Sequence, residues 1–167
     1  MIDKNILIIT GCEGFIGSNV ARYFNESNPK LNLIGCGSLN SKEKFFNINQ
    51  LNLIDYWDKD ELFKNLNKIN HKTLAGIIHL GACTSTDKWD SKYLLANNTR
   101  FSNNLVDLCL QKDIRMIHAS SASVYGINGE QNKEYTNHIV PINLYAFSKL
   151  LTDKYINFHY PNQNLIT

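Results

Sequence analysis

Short apolar runs alternate with longer amphipathic stretches along most of this chain, and that alternation limits the folds open to it. The apolar runs predict strands at residues 6–9, 31–34, 45–51, 75–80 and 114–118, and residues 164–167 suggest the beginning of another. The amphipathic stretches predict helices at residues 14–26, 60–69, 92–111 and 144–160. Parallel strands need crossover connections, which are usually helices and nearly always right-handed. We therefore predict an α/β fold with a doubly wound parallel sheet.

Composition excludes several classes of function. The 167 residues carry a net charge of +2, which is too small to indicate a nucleic acid or an anionic membrane as a partner. No apolar run approaches the ~18 residues of a transmembrane helix, and the N-terminus lacks a signal-peptide pattern, so we expect a cytoplasmic protein. Four widely spaced cysteines without a CxxC pair predict neither a disulfide framework nor a metal site.

A glycine-rich turn follows the first predicted strand. Residues 10–17 read TGCEGFIG and lead directly into the first predicted helix, so the spacing is GxxGxxG. Gly11 permits the tight turn, Gly14 lets backbone N–H groups approach a pyrophosphate, and Gly17 lets the helix pack against the strand. The helix dipole and unpaired N–H groups favour an anion there. The motif predicts a dinucleotide-binding domain of the Rossmann type.

The end of the second predicted strand lacks the acidic residue that usually binds the adenosine ribose in such folds. Residues 33–39 read LIGCGSL, and Lys42 and Lys44 follow in the next loop. An absent carboxylate with lysines close by suits the 2′-phosphate of NADP, so NADP is predicted in preference to NAD. The alternative is that the two lysines only solvate a loop.

Hydroxyl and amine side chains follow the later strands. The run 119–126, ASSASVYG, comes after the strand at 114–118, and ligands of open α/β sheets bind beyond the carboxyl ends of strands. Tyr145 and Lys149 form a YxxxK pattern on the last predicted helix, where residues four apart share one face. Lys149 would favour the phenolate form of Tyr145, an acid/base, while Ser121 binds the same substrate oxygen. The alternative is an ordinary amphipathic helix face.

The glycine turn, the serine-ended strand and the YxxxK pattern, in this order, resemble the extended short-chain dehydrogenase/reductases, a family that acts on sugar nucleotides. Within that family the chain is most similar to the ADP-L-glycero-D-manno-heptose 6-epimerases, over essentially its whole length. The most specific stretches are residues 44–47 (KFFN), 55–59 (DYWDK) and 79–93 (HLGACTSTDKWDSKY), with the pair Asn97-Asn98. The resemblance implies an NADP-dependent isomerase of lipopolysaccharide core biosynthesis, which removes a hydride at C6″ of the heptose and returns it to the other face.

The resemblance also implies roles for individual residues. Ser121, Tyr145 and Lys149 would form the catalytic triad. The cofactor would contact Tyr145, Lys149, the glycine turn and several later loops, at Gly11, Gly14, Phe15, Ile16, Gly17, Ser38, Lys44, Lys59, Leu80, Gly81, Ala82 and Asn97. No metal is expected. The family carries an acidic residue where Gly37 stands and an asparagine where Ser38 stands, so this chain departs from the family at the ribose site.

The chain ends inside a predicted strand, so we expect residues 1–167 to be an incomplete Rossmann domain that lacks the substrate-binding half and is inactive alone. In such epimerases a second acid/base and most sugar contacts come later in the chain. The full-length parent is expected to bind an ADP-sugar and to form a homo-oligomer. Two alternatives remain: a non-catalytic nucleotide-binding remnant of a decayed gene, and another sugar-nucleotide 4-epimerase or dehydratase, which the Trp89-Asp90 segment disfavours.

Overall fold

The fold is described by a computed structural model that covers residues 4–126 and 139–160. Within them the chain forms two compact units, one of residues 4–81 and 107–118, the other of residues 82–106, 119–126 and 139–160. The strand predicted at residues 164–167 lies outside the described residues. In the described ranges, no helix is both long enough and apolar enough to span a bilayer.

The first unit is built on a five-stranded parallel sheet. Its strands are β1 (Ile6–Thr10), β2 (Asn32–Gly37), β3 (Asp55–Asp58), β4 (Leu74–His79) and β5 (Met116–His118). They lie in the order β3-β2-β1-β4-β5, and each neighbouring pair is parallel. The strand order reverses between β1 and β4, and open α/β sheets bind ligands at such a switch point. The predicted α/β class and Rossmann-type parallel sheet are confirmed.

Apolar residues fill the central strands because these strands are covered by other elements. Ile8 of β1 is fully buried and pairs with Ile34 of β2 on one side and Ile77 of β4 on the other. Leu33 and Ile77 are each 1% exposed. The carboxyl end of β1 is therefore held in the middle of the sheet, and the glycine turn leaves from that rigid position.

Helices and short turns connect the strands. The α-helices of the described residues are α1 (Phe15–Ser27), α2 (Lys42–Ile48), α3 (Leu62–Leu66), α4 (Ser91–Leu94), α5 (Phe101–Gln111) and α6 (Leu144–His159). Turns of 3-10 type occupy Lys59–Glu61, His71–Thr73 and Ala122–Tyr125. The helices predicted at 14–26 and 144–160 are confirmed to within a residue. The long helix predicted at 92–111 is interrupted by a π-helical segment, Leu95–Arg100.

The strand predicted at residues 45–51 is wrong. Helix α2 occupies most of that stretch, and the third strand of the sheet, β3, comes later. Ser41 caps α2, because its side chain accepts a hydrogen bond from the Lys44 N–H. The apolar pair that suggested a strand is about half exposed, with Phe45 at 49% and Phe46 at 56%. The helix cap at Ser41 therefore outweighs the strand propensity of Phe45 and Phe46.

Candidate functional site

The glycine turn is packed against the backbone that follows β4. Gly11 has a φ of +68°, a conformation that favours glycine, and a Cβ on it would lie 2.8 Å from Gly81 Cα. A Cβ on Gly17 would overlap the carbonyl oxygen of Gly11, whereas a Cβ on Gly14 would lie 3.3 Å from that oxygen. The geometry agrees with the tight turn predicted for Gly11 and the close helix packing predicted for Gly17.

The N-terminus of α1 is open to an anion. Gly14 is the capping residue, so no side chain covers the first N–H groups of this helix. Phe15 and Ile16 begin the helix with 82% and 64% of their surfaces exposed. N–H groups at a helix start, together with the helix dipole, attract anions. The turn therefore fits a pyrophosphate bound by backbone rather than by side chains.

Leu80 and Gly81 lie beside the glycine turn. The Leu80 N–H donates to the Thr10 carbonyl oxygen at 3.2 Å, and the Gly81 N–H donates to Thr10 Oγ1 at 3.1 Å. Thr10 Oγ1 also bonds His79 Nδ1 at 2.6 Å, and the His79 ring stacks on the His118 ring with centroids 5.4 Å apart. These contacts fix the segment after β4 against the end of β1, so two of the predicted cofactor contacts border the turn.

A carboxylate does lie at the end of β2, but it comes from the glycine turn. Glu13 is 6% exposed, and a Cβ on Gly37 would overlap its carboxylate, 2.5 Å from Oε1. The Ser38 N–H donates to Glu13 Oε1 at 2.9 Å. Lys44 Nζ lies 3.4 Å from the same oxygen and donates to the Ser38 carbonyl oxygen at 2.8 Å. The end of the strand itself carries no acid, and the carboxylate beside it comes from the glycine turn, so the choice between NADP and NAD stays a prediction.

Two serines follow β5 in the second unit with different partners. Ser121 caps the 3-10 turn of Ala122–Tyr125, and its Oγ lies 2.8 Å from Ser123 Oγ. Ser120 Oγ donates to Asp153 Oδ2 on α6 at 2.5 Å. Ser120 thus anchors the helix, while Ser121, the predicted catalytic serine, is half-buried within a short turn.

Tyr145 and Lys149 lie one turn apart on α6, as the YxxxK spacing predicts. Asn143 caps this helix by accepting a hydrogen bond from the Ala146 N–H at 2.7 Å. Tyr145 is half-buried in the first turn. Lys149 is 3% exposed, and its Nζ donates to the Ala119 carbonyl oxygen at 2.7 Å. The ammonium is therefore held by the segment that leads into the two serines.

Asp153 is the counter-charge of Lys149, one further turn along α6. Burial lowers the pKa of Lys149 to about 8, and the charge of Asp153 opposes that shift. Burial raises the pKa of Asp153, while the hydrogen bond from Ser120 and the charge of Lys149 work against the rise. A pKa of about 8 leaves most of the Lys149 population charged at neutral pH. The charge of Asp153 therefore helps Lys149 to stay protonated on this helix.

Asn98 links the start of α6 to the segment after β4. Its Oδ1 accepts from the Cys83 N–H at 2.8 Å, and its Nδ2 donates to the Cys83 carbonyl oxygen and to Ser148 Oγ, both at 3.0 Å. Ser148 Oγ donates in turn to the Tyr145 carbonyl oxygen at 2.7 Å. Asn97, the predicted cofactor contact, is half-buried and donates to Asn98 Oδ1 at 3.1 Å. The sequence singles out the pair Asn97-Asn98 as a family feature. Asn98, the second residue of the pair, makes the hydrogen bonds that hold these segments together.

The predicted site residues divide between the two units. The first unit contains Gly11, Gly14, Phe15, Ile16, Gly17, Ser38, Lys44, Lys59, Leu80 and Gly81, and the second contains Ala82, Asn97, Ser121, Tyr145 and Lys149. Within the first unit the glycine turn, Gly81, Ser38 and Lys44 are joined by direct contacts, through Thr10 and Glu13. Lys59 begins the 3-10 turn after β3 and is half-buried. The roles of these residues toward a cofactor or a sugar stay predictions.

Known proteins are similar to this chain in sequence and fold. A family model described as the NAD dependent epimerase/dehydratase family matches residues 7–162. ADP-L-glycero-D-manno-heptose-6-epimerase of Helicobacter pylori is similar in structure, with 27% sequence identity, a TM-score of 0.80, and alignment over 95% of this chain and 52% of that chain.

Two further structures share the fold at lower identity. UDP-glucuronic acid 4-epimerase of Bacillus cereus in complex with NAD aligns at 22% identity and a TM-score of 0.75, over 96% of this chain and 54% of that chain. A dTDP-glucose 4,6-dehydratase of Streptomyces venezuelae with NAD and TYD bound aligns at 20% identity and a TM-score of 0.75, over 96% and 53%. The chain spans about half the length of each of these relatives.

Proposed function

Because this chain belongs to the NAD dependent epimerase/dehydratase family, we propose that it is the nucleotide-binding part of an ADP-L-glycero-D-manno-heptose 6-epimerase, an isomerase of lipopolysaccharide core biosynthesis. The observation that carries the proposal is the likeness to the Helicobacter pylori enzyme along nearly the whole of this chain. The stretch 79–93, with its Trp89-Asp90 segment, supports the same substrate class, because it resembles those epimerases more than other sugar-nucleotide enzymes.

A nicotinamide dinucleotide fits the first unit. Gly11 and Gly14 leave the backbone of the turn bare, and the start of α1 offers N–H groups to the pyrophosphate. The bound nicotinamide supplies hydride transfer. NADP is the choice that the lysines after β2 favour in the sequence, whereas the pairing of Lys44 with Glu13 favours the alternative, NAD.

Tyr145 is the acid/base that this chain contributes in the proposal. It takes the proton from the C6″ hydroxyl of the heptose in one configuration, and the second acid/base, expected later in the full-length parent, serves the hydroxyl in the opposite configuration. Ser121 hydrogen-bonds the same oxygen and holds it at the phenol. Lys149 keeps a positive charge on the helix that carries Tyr145. Such acid–base catalysis contributes about 10²–10⁴-fold in rate.

Turnover of ADP-heptose tests the proposal once the substrate-binding half, which we expect this chain to lack, is supplied. The chain is joined to the C-terminal half of the Helicobacter pylori enzyme and incubated with ADP-D-glycero-D-manno-heptose and either NAD or NADP, and the two 6-epimers are separated by chromatography. Residues 1–167 alone are expected to show no turnover. We expect epimerisation that falls by about 10²-fold or more in Tyr145→Phe. Tyr155→Phe is the matched control, because it removes a phenol from the same helix at a position outside the YxxxK pattern, where the ring packs against His159 with ring centroids 4.4 Å apart.

Three other outcomes would contradict the proposal in different ways. Equal rates for Tyr145→Phe and Tyr155→Phe would indicate that the YxxxK pattern has no catalytic role and belongs to an ordinary amphipathic helix. Turnover of a UDP-sugar in place of ADP-heptose would favour a 4-epimerase or a dehydratase. Cofactor binding by the joined protein without turnover of any sugar nucleotide would favour a non-catalytic nucleotide-binding remnant.

A further inference from the structure

We propose that Glu13 selects the adenosine ribose of the cofactor and gives this chain a preference for NAD over NADP. In this reading the glycine turn supplies the carboxylate that related folds supply from the end of β2. The inference rests on the proposed cofactor binding and adds to it a residue that determines cofactor specificity.

The position of Glu13 is the first support. Gly37 is the last residue of β2, and a Cβ there would overlap the Glu13 carboxylate, 2.5 Å from Oε1. Gly37 does not have the left-handed backbone that requires glycine, since positive φ among the described glycines occurs at Gly11 and Gly126. A glycine stands at the end of β2 because a larger residue would clash with the Glu13 carboxylate. The carboxylate of Glu13 occupies the volume in which a β2 side chain would begin.

The immobilisation of Glu13 is the second support. Its Oε1 accepts from the Ser38 N–H, and its main-chain carbonyl oxygen accepts from Asn47 Nδ2 at 2.9 Å. Its Oε2 is buried and accepts no hydrogen bond of good geometry among the described residues, although the buried Tyr56 hydroxyl interacts with the carboxylate. A buried carboxylate oxygen without a donor is costly, and a ribose hydroxyl is a donor. The side chain is thus fixed in place with part of its accepting capacity unused.

The phenol and the thiols around the Glu13 carboxylate add no charge of their own at neutral pH. The half-buried Tyr56 brings its buried hydroxyl close to the carboxylate, and burial first, then the charge of Glu13, with a smaller contribution from a hydrogen bond to Glu13, raise the pKa of Tyr56 above the ordinary value. Burial and the charge of Glu13 also raise the pKa of the Cys12 and Cys36 thiols to about 12. All three groups therefore stay neutral at physiological pH, and Lys44 remains the cation that faces the carboxylate.

The charge balance argues against a 2′-phosphate. Lys42 and Lys44 were the cations predicted to suit that phosphate. The Lys44 ammonium is shared between Glu13 Oε1 and the Ser38 carbonyl oxygen, and the Lys42 ammonium lies over the Phe46 ring, 5.6 Å from its centroid. A 2′-phosphate would bring a charge of about −2 to a fixed carboxylate whose counter-ion is already engaged. A 2′-hydroxyl brings a hydrogen-bond donor and no charge. The Glu13–Lys44 pair therefore favours the uncharged ribose.

Calorimetric titration with NAD and NADP tests the inference. We expect the natural protein to bind NAD at least about tenfold more tightly than NADP. Glu13→Gln keeps the size of the side chain, removes its charge and releases Lys44. The NAD/NADP affinity ratio should then shift toward NADP by about 10–100-fold, the range for one hydrogen bond to a charged group. Glu43→Gln is the matched control, because it neutralises an exposed carboxylate in the first turn of α2, and its ratio should stay within about twofold.

A rescue separates ribose recognition from a general effect on folding. Glu13→Ala opens the space beside Gly37, so the double variant Glu13→Ala/Gly37→Asp places a carboxylate on β2 instead. We expect Glu13→Ala to lose the preference for NAD and the double variant to regain it, with circular dichroism confirming that each protein is folded. Preference of the natural protein for NADP, or a ratio unchanged in Glu13→Gln, would overturn the inference while leaving the cofactor site intact. Binding of neither nucleotide would overturn the proposed cofactor binding and this inference with it.

Discussion

Replacing Gly17 by alanine tests the packing of α1 against the glycine turn. The added Cβ would overlap the Gly11 carbonyl oxygen and lie 2.8 Å from the Gly11 carbonyl carbon and 2.9 Å from Cys12 Cα. All three are backbone atoms, so the clash is relieved only if the turn or the helix start moves. Overpacking costs about 1–3 kcal/mol, and we expect the upper end here, offset by at most about 1 kcal/mol from the better helix propensity of alanine. The net loss should be about 2 kcal/mol or more.

Urea unfolding followed by far-ultraviolet circular dichroism measures that loss. Gly14→Ala is the control, because its Cβ would lie 3.3 Å from the same Gly11 oxygen and a small shift relieves it. We expect this control to cost about 1 kcal/mol or less, mainly from a poorer helix cap. A Gly17→Ala protein as stable as the natural one, or a Gly14→Ala protein equally destabilised, would refute the packing argument.

Buried polar groups in the second unit give three further predictions. Lys149→Met removes an ammonium whose pKa is about 8 in the fold and 10.5 ordinarily. The unfolded chain therefore binds this proton more tightly, so the natural protein should gain about 3 kcal/mol relative to the variant as pH rises from about 8 to about 10.5, measured by urea unfolding. Asp153→Asn removes the charge that raises the Lys149 pKa, so this gain should begin at a lower pH in the same assay. Asn98→Ala leaves both backbone groups of Cys83 without their partner and should cost about 2–3 kcal/mol in thermal unfolding, whereas Asn97→Ala should cost less than about 1 kcal/mol.

The central strands and the glycine turn were predictable because their signals are local. A run such as Ile6–Ile9 is apolar throughout, and a turn that begins with Gly11 follows it at once. The error at residues 45–51 arose where two local signals disagree. The apolar Phe45 and Phe46 favour a strand, while Ser41 caps a helix. The true third strand, Asp55–Asp58, is short and has acids at both ends, so its sequence does not resemble a buried strand.

Glu13 escaped the sequence analysis because its role depends on a contact between distant residues. It lies in the variable interior of GxxGxxG, where the motif specifies no residue type. Its partners, Ser38 and Lys44, are 25 and 31 positions away along the chain. The glycine at position 37 was the available signal, since a missing side chain at the end of β2 leaves space for another. Strand pairing alone does not indicate which residue fills that space.

The π-helical segment Leu95–Arg100 makes chain length a constrained quantity in this part of the protein, in addition to the residue type at Asn98. A π-helical turn takes up one more residue than an α-helical turn. Deleting one residue there would allow an ordinary α-helix to form, and it would rotate α4 by about 100° relative to α5. Asn98 would then turn away from Cys83 or from Ser148, although every one of those residues was still present. A change of length in this segment therefore breaks contacts that a change of an exposed side chain there would leave intact.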